Sequence, residues 1–188
     1  MTFFLTSRGP GDGANLGGLD GADAHCAILA EEGGGASGLT WRAYLSTVGD
    51  EVVHAKDRIG SGPWHNANGV MVARDLNHLH SEETGLGKEG SLSEAGDVIS
   101  GRGDDVNRHD ILTGSGMDGS AFMGDGDTTC SNWTSNASDG SARVGHHDRI
   151  GGGENPNSWN SAHGSRGCGQ EDLRGTGGDG LFYCFAHR

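Results

Sequence analysis

The chain has 188 residues, of which 37 are glycine and 3 proline, and only 32% of its side chains are hydrophobic. Its 26 acidic and 13 basic side chains give a formal net charge of −13, which repels nucleic acid, heparin-like polyanions and anionic membrane and favours cations. Glycine without a period of three excludes collagen, 4 Trp, 5 Phe and 2 Tyr argue against disorder, and no run approaches the ~20 apolar residues of a membrane span.

One domain over residues 1–188 is the expectation, with a small core carrying long glycine-turned loops. Phe3-Phe4-Leu5-Thr6 predicts an opening strand, followed by a Gly/Asp-rich loop to Asp20. Residues 22–32 carry Ala22, Cys26, Ile28, Leu29 and Ala30 at helical spacing, with Asp20 or Asp23 as cap and Gly33-Gly34-Gly35 as stop. Residues 40–46 alternate bulky and polar side chains and predict a strand; residues 52–59 predict a second short helix. Pro63-Trp64 begins an extended piece and residues 69–73 read as a strand. From Asp75 to Ser100 the chain reads as irregular, with one helical turn within 76–83. Small strands are expected at 97–99 and 110–113, then turns until the apolar strand Leu181-Phe182-Tyr183-Cys184-Phe185. No fixed-period repeat is present.

The four cysteines are Cys26 and a late triplet, Cys130, Cys168 and Cys184, with no Cys-x-x-Cys pair to suggest zinc. One early and three late suit two nested disulfides, one tying the chain ends and one closing a long loop. Such usage points to an oxidising compartment. Thr2-Phe3-Phe4-Leu5-Thr6 is too short to be a secretory signal, which leaves a cytosolic chain or one whose leader lies outside this sequence; the even cysteine count favours the second, and the expectation is a secreted, periplasmic or extracellular chain.

In layout the chain resembles the endostatin-like branch of the C-type lectin-like fold. The resemblance rests on Gly21-Ala22-Asp23 before Cys26, Thr40-Trp41-Arg42-Ala43-Tyr44-Leu45-Ser46, the 52–59 segment, and Gly114-Ser115-Gly116-Met117-Asp118-Gly119 ahead of Cys130-Ser131-Asn132-Trp133-Thr134. It ends in Ser165-Arg166-Gly167-Cys168 and Tyr183-Cys184. The chain is also similar to bacterial secreted proteins labelled lectins, through Asn15-Leu16-Gly17-Gly18-Leu19 and Trp159-Asn160-Ser161-Ala162-His163. The resemblance implies an α+β C-type lectin-like (endostatin-like) domain with two short helices, small antiparallel sheets and long irregular loops. Two departures follow. A charge of −13 lacks the arginine patches through which animal endostatins bind heparin, and Glu154-Asn155-Pro156-Asn157 and Trp159-Asn160-Ser161 only approach the calcium-and-sugar triplets of C-type lectins. Disulfides Cys26–Cys184, stapling the first helix to the last strand, and Cys130–Cys168, closing the loop segment, are expected.

Candidate chemistry gathers in residues 124–166. Asp125 and Asp127, spaced i, i+2 in a glycine turn, suit calcium, which takes hard oxygen ligands; Asp12, Asn15, Asp20, Asp23 and Asp104-Asp105 are similar, and none is an EF-hand. The alternative is that Asp and Gly cluster in turns for backbone reasons. Among 10 histidines, His109-Asp110, His146-His147-Asp148 and His163 set imidazole beside carboxylate, a metal-ligand or base arrangement, although loop histidines commonly bond only the local backbone. The metal expectation is Asp125, Asp127, His146, His147 and Asp148. For ligand binding it is Glu154, Asn155, Asn157, Trp159, Asn160 and His163, with the tryptophan either stacking on a sugar face or plugging the core. No His-Glu-x-x-His or Gly-x-Ser-x-Gly motif supports catalysis. The expectation is therefore a non-enzymatic secreted domain recognising carbohydrate or another extracellular surface ligand, with calcium as the candidate cofactor. Alternatives are an adhesion module binding protein and, third, a metal-dependent enzyme. Membrane insertion is not expected.

Overall fold

The computed structural model describes residues 1–35 and 38–187. Its elements in chain order are β1 (Phe3–Leu5), α1 (Gly18–Glu32), β2 (Thr40–Ala43), α2 (Ala55–Arg58), β3 (Trp64–His65), β4 (Met71–Ala73) and α3 (Leu76–Leu79). There follow β5 (Asp110–Leu112), the helical turn α4 (Cys130–Trp133), β6 (Arg143–His146), β7 (His163–Gly164), α5 (Gln170–Thr176) and β8 (Gly178–His187).

The architecture is α+β and is organised by β8. Its C-terminal half is flanked by β1 and β2, both antiparallel, with Phe4 and Ala43 each opposite Cys184. Its N-terminal half pairs in parallel with β5, Asp110 opposite Gly178 and Leu112 opposite Phe182. β6 then joins β5 and β7 joins β6, both antiparallel, completing a six-stranded sheet; β3 and β4 form a separate hairpin. The sheet is thus mixed, where small antiparallel sheets were expected. After β7 the chain returns through α5, and this crossover brings β8 in beside β5 in the same direction.

Burial on both faces explains the unbroken apolar run in β8. Phe182, Cys184 and Ala186 face α1 and pack with Phe4, Ala22, Cys26, Leu29, Trp41 and Trp133. Leu181, Tyr183 and Phe185 face the other way, onto Phe3, Leu5, Tyr44, Ile59, Trp64 and Trp159. The alternation is the period of two that a strand imposes on its side chains.

Helix α1 starts four residues before the expected position. Its cap is Gly17 at φ 76°, a left-handed conformation glycine adopts without strain, and neither Asp20 nor Asp23 caps it. The helix buries Ala22, Asp23, Cys26, Leu29 and Ala30 as one stripe and stops at Gly33, whose N–H returns to the Leu29 carbonyl at 2.9 Å. The 52–59 helix shrinks to the single turn α2, and 97–99 contributes only a bridge between Leu92 and Val98. The disulfides Cys26–Cys184 and Cys130–Cys168 are both formed, with Cα separations of 5.6 and 5.7 Å. Among the described residues no helix is long and apolar enough to cross a membrane.

Two aspartates expected in oxygen-rich cation loops serve the backbone instead. Asp23 is buried and accepts from Arg58 Nη2 at 2.8 and 2.9 Å, Arg42 Nη1 at 2.6 Å and the Ala43 N–H at 2.8 Å, fastening α1 to β2 and α2. Asp127 accepts from the N–H groups of Thr129 at 3.0 Å and Ser131 at 2.9 Å. It thereby braces α4, where Cys130, Ser131, Asn132 and Trp133 all have positive φ.

Candidate functional site

The expected ligand residues separate into a groove and a histidine cluster, both built from the loop between β6 and β7. The groove has a volume of about 410 Å³ and is lined by 154–160 on one side and by His80, Ser81, Glu82, Met117 and Arg149 on the other. Asn157 is exposed on its rim. Glu154 is exposed and pairs at 2.9 Å with Arg143, whose buried guanidinium also donates to Ser161 and lies 4.1 Å from the Phe122 ring centre. That bond holds the Glu154 carboxyl below its ordinary value. Arg149 reaches across to Glu82 at 2.7 Å.

Two of the expected ligand residues lie beneath the groove as packing. Trp159 is 4% exposed, wedged against Tyr44, His80 and Tyr183, and donates from Nε1 to the Leu79 carbonyl at 3.2 Å, so its ring is core and not a stacking platform. Asn160 is 1% exposed; its Nδ2 donates to Tyr44 Oη at 2.9 Å and to the Gly116 carbonyl at 3.0 Å, and its Oδ1 accepts from Ser158. Asn155 is half-buried and donates to the Ser161 carbonyl at 2.9 Å. The opposite wall went unrecognised in the sequence because it arrives from some 67–80 residues away through contacts such as Arg149 to Glu82 and Trp159 to Leu79.

The second assembly is where β5 lies against β6. Antiparallel register sets Asp110 opposite His146, and β7 lays His163 beside them. Around Asp110 Oδ1 stand three imidazole nitrogens, Nε2 of His109 at 3.3 Å, of His146 at 3.4 Å and of His163 at 3.5 Å. The His146 and His163 Nε2 atoms are 3.0 Å apart, and the His109 and His146 rings stack with centres 4.2 Å apart. Burial would raise the Asp110 carboxyl, but the close imidazoles of His146, His163 and His109 outweigh it and leave it lowered. His109 Nδ1 is also 3.3 Å from Asp148 Oδ1, whose partner oxygen accepts from the Arg102 N–H at 2.7 Å.

Of the five expected metal ligands, His146 alone points a nitrogen into this cluster, and Asp148 stands behind His109. His147, the next residue, turns the other way and bonds the Ser100 carbonyl at 3.2 Å; burial keeps its ring below its ordinary pKa. Asp125 and Asp127 line a separate shallow hollow of about 290 Å³ that also includes Arg143 and Glu154. Among the described residues, the donors gathered closely enough to share one ion are His109, Asp110 and His146. No protein-family model matches the chain, and a search of curated proteins finds no match.

Proposed function

We propose that this chain is a disulfide-stapled extracellular recognition domain of C-type lectin-like type that binds a neutral carbohydrate in the groove formed by residues 154–160, His80, Glu82 and Arg149. The observation that carries the reading is the groove itself. Its volume of about 410 Å³ lies in the range of small-molecule sites, and its rim mixes the amide of Asn157, the carboxylates of Glu82 and Glu154 and the guanidinium of Arg149. Such a set donates to and accepts from hydroxyl groups, while the net charge of −13 disfavours polyanionic sugars. The buried Trp159 and Asn160 give the rim a fixed floor, and loops held on a rigid scaffold are where binding groups concentrate.

A glycan array is the direct test, run with added calcium and with chelator to separate direct from calcium-assisted binding. The wild-type chain should select a small set of neutral glycans. Asn157→Ala and Arg149→Ala, both on the rim, should each weaken that binding about tenfold, near 1.4 kcal/mol, with the thermal midpoint held. Undiminished binding by both variants would move the site elsewhere.

A further inference from the structure

We infer that His109, Asp110 and His146, with His163 at the edge of the cluster as a fourth donor, form a binding site for one zinc ion beneath the groove loop, a reading independent of the carbohydrate proposal. The tautomers carry the first part of the argument. His109 Nδ1 lies 3.1 Å from the Ile150 carbonyl, His146 Nδ1 2.8 Å from the Pro156 carbonyl and His163 Nδ1 3.1 Å from the Gly164 carbonyl. A carbonyl oxygen only accepts, so each Nδ1 carries the hydrogen, which leaves Nε2 as the nitrogen available to a metal ion. Those three nitrogens all lie within 3.5 Å of one carboxylate oxygen, Asp110 Oδ1. A proton relieves a single contact in such a set; a cation at its centre relieves all of them.

Asp110 supplies the second part. It is 3% exposed, and neither carboxylate oxygen has a well-directed hydrogen-bond donor among the described residues. Burying a carboxylate in that state is costly, and native structures provide such groups with a partner. The spacing around Asp110 Oδ1 also fits. With zinc bonds of ~2.0–2.1 Å, the edge of a coordination tetrahedron is about 3.3–3.4 Å. The imidazole nitrogens stand 3.3, 3.4 and 3.5 Å from Asp110 Oδ1, and two of them 3.0 Å from each other.

The donor set selects the ion. Three imidazoles and one carboxylate suit zinc and not calcium, which takes oxygen ligands. His109, Asp110 and His146 are gathered closely enough to share the ion, and His163, 3.0 Å from His146, is the fourth donor that would close a tetrahedral site, the pattern of a structural ion. The surroundings support the same donors: Asp148 backs His109, and the Pro156 carbonyl backs His146. Since Pro156 belongs to the groove wall, the ion would fix the loop that shapes the groove. Packing is close here too, for a Cβ at Gly151 would fall 2.2 Å from His146 Cε1.

The test strips the purified chain with chelator and titrates it with zinc, then with cobalt. We expect one zinc per chain, a rise in thermal midpoint on binding, and the visible band of tetrahedral cobalt. Asp110→Asn, isosteric, and His163→Gln, at the partly exposed edge of the cluster, should each weaken zinc about a hundredfold or more and abolish the band, while Asp125→Asn keeps both. If Asp110→Asn does not fold, His163→Gln decides. Zinc well below one per chain, no tetrahedral band, or a loss of less than about tenfold in His163→Gln overturns the assignment.

Discussion

His80 is held as a neutral ring by two partners of opposite character. Its Nδ1 lies 2.8 Å from the Leu76 carbonyl and must donate, so Nε2, at 2.7 Å, accepts from Tyr44 Oη, which in turn accepts from Asn160 at 2.9 Å. Burial pushes the His80 pKa below its ordinary 6.5. Between the lowered folded value and 6.5 the unfolded chain binds the extra proton, so this contribution to stability is complete above 6.5 and is lost as pH falls below it. Urea midpoints of the chelated protein should drop on acidification through that window, and His80→Gln should flatten the slope; an unchanged slope would show that His80 does not report. The same chain of bonds predicts the fate of Asn160. Asn160→Ala strands Tyr44 Oη and the Gly116 carbonyl and should cost about 2–3 kcal/mol, whereas Asn157→Ala on the rim should stay within about 0.5 kcal/mol. Equal urea midpoints for the two variants would contradict this division. The sequence motif Trp159-Asn160 was thus visible as special, but its composition does not distinguish a residue that holds a loop from one that holds a ligand.

Elements whose apolar pattern matches their period were readable: β1, β5 and the centre of β8 by compact apolar runs, and α1 by its stripe. Elements made by tertiary contact were not. β6 is Arg-Val-Gly-His, with no strand alternation, and exists because β5 and β7 pair with it. Helix α5 carries a single buried apolar residue, Leu173, and α4 is a left-handed turn held by a disulfide and Asp127. For the same reason the histidine cluster was only half legible, since His109-Asp110 and His163 reach His146 through sheet register. Asp23 shows what such contacts are worth. Its carboxylate compensates the largely buried Arg58, so Asp23→Ala should destabilise by about 3–5 kcal/mol, read by calorimetry. Adding Arg58→Met should recover part of the loss, because the uncompensated charge is removed with it. A double variant as unstable as the sum of the singles would place the effect in packing instead.

At the scale of the molecule the two disulfides divide the labour between stability and site. Cys26–Cys184 spans 158 residues and joins α1 to the central strand, while Cys130–Cys168 spans 38 and encloses β6, β7 and the loop between them. In the chain-entropy account the longer closure constrains the unfolded state more, about 5 against about 4 kcal/mol. Cys26→Ala with Cys184→Ala should therefore lower the denaturation midpoint more than Cys130→Ala with Cys168→Ala. The second pair should nevertheless do more local damage. Without it α4 loses its anchor, and the loop carrying 154–160, His146 and His163 is left to β6, β7, the Arg143–Glu154 and Arg149–Glu82 pairs and the buried bonds of Trp159 and Asn160. Hydrogen exchange on both double variants checks the division. Loss of Cys130–Cys168 should raise exchange chiefly within 130–168, and loss of Cys26–Cys184 should raise it at the slowest amides across the sheet and α1, which exchange through global unfolding. Uniform exchange in both would mean that the loop unfolds only with the sheet, and that the groove is as stable as the core beneath it.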